Sequence, residues 1–294
     1  MDNQFTISRD GNILVAFDGS DFSKGALSQV IEYSKEVGCR ATSLTVVTVL
    51  PPYEREAELG LVKNIKGIFK ELGKDILSSA EKIAEGEGVQ VETVLSEGSI
   101  HRAIINVAES RNCDLIVMAR RSLTDLERAL VGSVTARVIG YSPIDVLVMP
   151  SDSIIKWDNI LLAIDGSHYS EIAAKRAISI AQSCGGKLKL VSVVDVTDEF
   201  FIHSPDAVDE MIRNAWDSIE KIKKMVKSAK IDVEAFVREG EPHDKIVSLA
   251  EELESDIICM GSHGRTGIKR LLMGSVTEKV IGNAPCPVLV VKAH

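Results

Sequence analysis

A chain of 294 residues with a formal net charge of −9, 45% hydrophobic and 26% charged residues, has an ordinary globular composition and is long enough for two domains, each with its own core. The negative charge disfavours a nucleic-acid role, which would need a local basic patch working against the global field. Cys39, Cys113, Cys184, Cys259 and Cys286 form no Cys-x-x-Cys pair, so neither a zinc site nor a disulfide framework is expected. The polar start Met1-Asp2-Asn3-Gln4-Phe5 and the lack of an apolar run of membrane-spanning length give the expectation of a reduced cytoplasm and no membrane partner.

The first apolar run, Asn12-Ile-Leu-Val-Ala-Phe-Asp-Gly-Ser20, reads as a buried strand ending in a turn. Behind it Ala26, Leu27, Val30 and Ile31 have helical spacing. Leu44 to Val49 is a second strand, and the charged amphipathic stretch from about Glu54 to Glu85 is a connecting helix preceded by a loop. Val91 to Gly98, Asp114 to Met118 and Pro143 to Val148 supply three more strands. The series then returns. Asn159-Ile-Leu-Leu-Ala-Ile-Asp-Gly-Ser167 matches the first strand and turn, Ala173, Ala174, Ala177 and Ile178 the helix, and Leu190 to Val196 the second strand. Pro205 to Ala229 is the second long helix, followed by strands at Val233 to Gly240, Asp256 to Met260 and Pro285 to Val290. A period of about 145 residues is the size of a domain, so the chain is a tandem duplication.

Val/Ile/Leu-rich strands alternating with helices specify an α/β fold: two tandem doubly wound domains, each a five-stranded parallel sheet with helices on both faces. The polar break Met149-Pro150-Ser151-Asp152-Ser153 places the domains at 1–150 and 154–294. So short a linker predicts that the halves pack together.

In such sheets ligands lie at the carboxyl ends of the strands, where the winding reverses. There the second half carries Met-Gly-Ser-His-Gly-Arg-Thr-Gly-Ile-Lys-Arg-Leu-Leu-Met-Gly-Ser-Val-Thr, from Met260 to Thr277. Strand, glycine-rich loop and helix start come in that order. Gly261 and Gly264, with His263, Arg265, Lys269 and Arg270 in an acidic protein, read as a phosphate cradle before a helix N-terminus. Bland readings stand beside it. Ser275 and Glu278 have capping-box spacing, and Asp165-Gly166-Ser167 is a tight turn with a serine N-cap. No P-loop is present, and Gly86-x-Gly88 lacks the third glycine of a Rossmann fingerprint. His101, His168, His203, His243 and His294 lack metal-ligand spacing. No nucleophile is placed beside a base, so no catalytic residue is assigned, and Cys259 reads as packing.

The spacing Gly-x2-Gly-x9-Gly-Ser/Thr at Gly261, Gly264, Gly274 and Ser275, with the Asp-x-Ile-x-Met-Gly-Ser-His-Gly block, resembles the universal stress protein family, and the resemblance covers both halves. It implies ATP, with or without Mg²⁺, its adenosine near Asp165, Val193, Met260 and Gly261 and its adenine close to Ala163. The triphosphate is implied along Gly264, Gly274, Ser275, Val276 and Thr277, with Arg265 in the same set. The first half departs from the pattern. It reads Met118-Ala119-Arg120-Arg121-Ser122, keeps only Gly132-Ser133, and carries Asp125 and Glu127 in place of Gly267 and Lys269. Alanine and serine resist any φ > 0 conformation open to glycine, so ATP is expected in the second half alone.

Some relatives dimerise through their last strands. The apolar runs Val146-Leu147-Val148 and Val288-Leu289-Val290 are edge candidates for an intramolecular pseudo-dimer, with a homodimer left open. The implied function is an ATP-binding, nucleotide-responsive regulatory or stress-response module with an unidentified protein partner. The alternatives are a slow ATPase or nucleotidyl-transfer enzyme of adenine-nucleotide α-hydrolase-like architecture, and a structural stress protein that binds no nucleotide.

Overall fold

A computed structural model describes residues 11–36, 43–52, 65–121, 131–196, 204–264 and 273–293. The first half contributes β1 (Ile13–Ala16), α1 (Asp21–Glu36), β2 (Leu44–Leu50), α2 (Ile65–Gly86), β3 (Glu92–Glu97), α3 (Ile100–Ser110), β4 (Leu115–Ala119), α4 (Ser133–Tyr141) and β5 (Asp145–Met149). The second repeats the series as β6 (Asn159–Ala163), α5 (His168–Cys184), β7 (Lys187–Val194), α6 (Pro205–Ser228), β8 (Val233–Glu239), α7 (Pro242–Glu252), β9 (Ile257–Gly261), α8 (Ser275–Asn283) and β10 (Val288–Val291). The helix expected from Glu54 is seen from Ile65 onward; its earlier part lies outside the described residues.

All ten strands join one sheet in the order β3-β2-β1-β4-β5-β10-β9-β6-β7-β8. Each half is a parallel, doubly wound sheet whose first and fourth strands are neighbours. The halves meet where β5 and β10 pair antiparallel, Val146 opposite Val290, Leu147 opposite Leu289 and Val148 opposite Val288. Two apolar edges thereby cover each other. The outer edges are β3 and β8, which carry Glu92, Glu97, Glu234, Arg238 and Glu239 and are only partly buried; charge on an edge strand discourages pairing with another chain.

Because helices cover both faces, the inner strands are apolar at consecutive positions, and alternate side chains enter different cores. Val15, Val117, Leu147 and Leu162 pack under α1, α2, α5 and α6. Leu14, Ile116, Val146, Val148 and Leu161 pack under α3, α4, α7 and α8. Helix α6 shows how its sequence sets its place: Pro205 and Asp206 open it, Lys227 closes it, and Val208, Ala215, Ile219, Ile222 and Val226 form its buried stripe.

Both cores run through both halves, and the linker joins them. Ile155 and Trp157 are buried, with the Trp157 ring edge-on to Tyr33 of α1 at 6.3 Å. Polar contacts cross the seam as well. Asp145 Oδ2 accepts from Arg176 Nε of α5 at 2.5 Å, and its Oδ1 accepts from the Lys292 backbone N–H at 2.9 Å. Arg120 Nη1 donates to the carbonyls of Ile281 at 2.6 Å and Ala284 at 3.1 Å, closing the C-terminus of α8. Lys292 Nζ donates to the carbonyl of Ile139 near the C-terminus of α4. Ile139 and Ile281 occupy equivalent positions of the repeat, so each half sends one cation to the last turn of the other's short helix, where helix carbonyls favour positive charge.

Candidate functional site

The strand order fixes where a ligand can sit. Strand β6 has β7 on one side and β9 on the other, and the connections after β6 and β9 leave to opposite faces, opening a crevice at their carboxyl ends. After β6 the chain turns through Asp165-Gly166-Ser167. Gly166 holds φ at 79°, a left-handed value that glycine adopts at little cost. Asp165 Oδ1 accepts from the Ser167 N–H at 3.0 Å, and Ser167 caps α5 by accepting from the Ser170 N–H at 3.2 Å. The bland reading of this motif therefore holds, and the turn also brings Asp165 to the crevice.

Opposite Asp165, β9 ends at Met260-Gly261. Ser262 N–H donates to the Val291 carbonyl at 3.2 Å and Gly274 N–H to the Ser262 carbonyl at 2.9 Å. The Thr277 hydroxyl donates to the Gly261 carbonyl at 3.0 Å. These bonds pin the start of α8 to the end of β9. The Thr277 hydroxyl is thus engaged by the backbone. The His263 ring lies 5.2 Å from that of Tyr169, and its Nδ1 is 3.2 Å from Ser262 Oγ.

Two expectations need correcting. Ser275 is the first residue of α8 and Gly274 its N-cap, with no side-chain cap bond, so Ser275 and Glu278 do not form a capping box. A serine already inside the helix is misplaced to accept from the third helical amide. Among the described residues no N-cap side chain accepts from the first turn, which suits an anion. The glycines, second, are not there for left-handed backbone. Gly274 has φ −69°, and Gly261 and Gly264 also lie outside the positive-φ region. What matters is space. A Cβ on Gly261 would stand 2.8 Å from Tyr169 Cβ and 2.9 Å from its carbonyl carbon, and one on Gly264 would stand 2.8 Å from Asp165 Oδ2. Gly261 lets α5 approach β9, and Gly264 leaves room for Asp165.

The crevice is a cavity of about 320 Å³. Ala163, Asp165, Val193, Met260, Gly261, Gly264, Gly274, Ser275, Val276 and Thr277 all line it, while Arg265, like Lys269 and Arg270, lies outside the described residues. Sequence reasoning missed Asp195 at the end of β7, Met211 and Ala215 of α6, and Pro242 and Ile246 of α7. Asp195 was open to the strand-end rule. The helical residues carry no local signal, because they arrive from a layer folded back over the sheet. The resulting cavity is apolar at Ala163, Val193, Met211, Ile246 and Met260, and at its other end offers Gly264 and the backbone of an uncapped helix start. Cys259, behind it, is buried, and burial pushes its thiol well above the usual range, which fits packing rather than reactivity.

The first half forms a corresponding cavity of about 520 Å³ at the ends of β1 and β4, and α4 begins there with Gly132 as N-cap and again no side-chain cap bond. Its loop chemistry differs. Arg121, in place of His263, pairs with Asp18, the counterpart of Asp165. Burial pushes the Asp18 carboxyl up, but hydrogen bonds from the Ser20 hydroxyl, Arg121 and the Ser20 amide outweigh it and hold the group at about 2. Arg120, in place of Ser262, closes α8 across the seam. Asp125 and Glu127 lie outside the described residues.

A doubly wound α/β protein with a crevice at each reversal point is the class that fold and site define. The universal stress protein family model matches residues 11–150 and 156–292, and the chain belongs to that family, in tandem form. It is 38% identical to a universal stress protein of Methanocaldococcus jannaschii over 142 residues, covering 46% of this chain and 82% of that one. A putative universal stress protein of Staphylococcus aureus strain USA300 is 33% identical over 144 residues, 48% of this chain and 87% of the relative. Across both halves the fold is that of a universal stress protein from Archaeoglobus fulgidus DSM 4304, with a TM-score of 0.75, 23% identity and 98% of each chain covered. Among the described residues no helix is long and apolar enough to cross a membrane.

Proposed function

We propose that this protein is an ATP-binding regulatory module of the cytoplasmic stress response that holds one nucleotide per chain in its second-half cavity. The observation that carries the reading is the uncapped first turn of α8 at one end of a cavity whose other end is apolar. A flat apolar base fits the second and a phosphate chain the first. In this reading Ala163, Val193 and Met260 flank the base, Asp165 accepts from the sugar, and the backbone from Gly274 to Thr277, with Gly264 and Arg265, faces the phosphates. ATP would supply a polyanion, with or without Mg²⁺. The helix that would bind it ends at Arg120 of the first half, so occupancy at one end of α8 bears on the seam at the other. That is how a nucleotide would change what a protein partner, or a second copy, meets.

Isothermal titration of nucleotide-free protein with ATP tests this, with and without Mg²⁺. A stoichiometry near one per chain is expected, and loss of binding in Gly264→Val, whose side chain displaces Asp165, with the fold retained by circular dichroism. Two equivalents would overturn the asymmetry, and unaltered binding in Gly264→Val would overturn the site.

A further inference from the structure

The chain is acidic overall, but one groove on its surface is not. It lies between α3 and α4 of the first half, about 480 Å³ in volume, and is lined by His101, Arg102 and Glu109 of α3 and by Arg137 and Tyr141 of α4. The duplication supplies a control for each of these positions. Helices α7 and α8 repeat α3 and α4 in length and phase, Pro242 matching Ile100 and Ser275 matching Ser133. There the basic groups meet carboxylates. Glu241 Oε1 lies 3.1 Å from His243 Nδ1 and 2.9 Å from Lys279 Nζ, and Asp244 Oδ1 lies 3.1 Å from His243 Nε2. In the first half Ser99 stands in place of Glu241, Arg102 of Asp244, Arg137 of Lys279 and Tyr141 of Asn283. With histidine neutral, Arg102 and Arg137 against Glu109 leave the groove at +1, whereas Lys279 against Glu241, Asp244 and Glu251 leaves its counterpart at −2.

Among the described residues neither Arg102 nor Arg137 forms an ion pair or a side-chain hydrogen bond. His101 Nδ1 is 3.2 Å from Ser99 Oγ, a contact that brings no charge. Burial, then Arg137 and Arg102, hold the His101 imidazole below its usual range, so the three groups feel one another's charge with no anion between them. The Tyr141 ring lies 5.5 Å from that of His101 and is nonetheless 64% exposed. On a solvated helix face charges of both signs mix; the second half has that arrangement, and the first half has lost it at the same positions.

We propose that the groove between α3 and α4 is a docking surface for an acidic segment of a partner protein, its carboxylates held by Arg102 on one bank and Arg137 on the other and an apolar side chain set beside Tyr141. Guanidinium groups take carboxylates in a fork geometry. From His101 to Glu109 the helix runs about 12 Å, room for several extended residues. Such a segment reaches both arginines and the tyrosine at once, which a small anion does not, and Glu109 at the far end marks where an acidic run must stop. A second copy fits less well, because each chain carries a net charge of −9 and long-range repulsion opposes their approach. The proposal stands on first-half residues and does not require ATP in the second half.

The probe is the peptide acetyl-Glu-Glu-Phe-Glu-Glu-amide, titrated at low ionic strength into the nucleotide-free full chain. The readout is the imidazole resonances of His101 and His243 in nuclear magnetic resonance spectra, assigned with His101→Gln and His243→Gln. The peptide should shift the His101 signals saturably and raise the pH at which His101 titrates, since a carboxylate beside it opposes the two arginines, while His243 stays unmoved. Arg102→Glu with Arg137→Glu should weaken binding by at least about tenfold. Ser99→Glu with Arg102→Asp, which writes the second half's carboxylates into the first, should do the same, with melting curves checking that the fold is kept. The converse pair, Glu241→Ser with Asp244→Arg, should make His243 responsive. Equal responses of His101 and His243, a response to sulfate at matched ionic strength as large as that to the peptide, indifference to both first-half variants, or no saturable shift up to about 10 mM peptide would each overturn the assignment. Self-association without peptide, lost in the same variants, would overturn it in favour of a second copy. With no nucleotide present, failure here leaves the second-half reading untouched, and failure of ATP binding leaves this one.

Discussion

Replacing Asp145 by alanine should unsettle the whole molecule, because that carboxylate holds three elements from two halves. Its side chain is 2% exposed and that of its partner Arg176 10%. One oxygen meets Arg176 Nε at 2.5 Å, and the other takes the Lys292 N–H at 2.9 Å. Alanine would strand a guanidinium in a nearly dry site and orphan a buried amide. Breaking a buried ion pair from one side costs about 3–5 kcal/mol, and at about 1.4 kcal/mol per factor of ten this is a fall of more than a hundredfold in the ratio of folded to unfolded molecules. Asp145→Asn keeps an acceptor for the Lys292 N–H and should lose less. The double variant Asp145→Ala with Arg176→Met should recover part of the loss, since it removes the stranded charge. Urea denaturation followed by far-ultraviolet circular dichroism measures all three. A loss below about 1 kcal/mol in Asp145→Ala, or a double variant as poor as the sum of the singles, would refute the reasoning.

Other outcomes follow from single contacts. Gly261→Ala should destabilise by about 1–3 kcal/mol with or without nucleotide, because its Cβ meets Tyr169 backbone; a melt unchanged from the parent would count against it. The Asp18 carboxyl is depressed from 3.8 to about 2, so it stabilises the fold above pH 3.8 and loses that effect as pH falls toward 2. Asp18→Asn should flatten acid unfolding in that window. Lys292 gives a slope of the same sign in an alkaline window, for a different cause: burial lowers it from 10.5 to about 8 while Asp145 opposes the shift. Between those values the unfolded chain binds the extra proton, so stability gains from this group as pH rises from 8 to 10.5, and melting temperatures of Lys292→Met should lack that rise.

The repeat, the strand-helix alternation and the position of the glycine-rich segment after β9 were legible in the sequence because each is a local pattern: apolar runs, a 3.6-residue period, glycines after a strand. The pairing of β5 with β10 was half legible. The apolar character of both last strands said that an edge had to be covered, but register and direction come only from three-dimensional assembly. Other features were misread for a physical reason. Ser275 and Glu278 have the spacing of a cap, yet where the helix begins is decided by Thr277 and the Gly274 amide bonding back to β9. Gly261 resembles a ligand-facing glycine in sequence, and only the approach of Tyr169 shows which atoms need the space.

The sequence by itself determined that this chain is a duplicated α/β protein with one intact and one altered glycine loop, since those facts are written in residue type and spacing. Tertiary structure decided what the altered loop does. Arg120 and Arg121 read as loss of a motif until the fold sends one across the seam to the end of α8 and the other onto Asp18. Both partners lie about a hundred residues or more away along the chain, and contacts of that separation leave no periodic trace in a sequence.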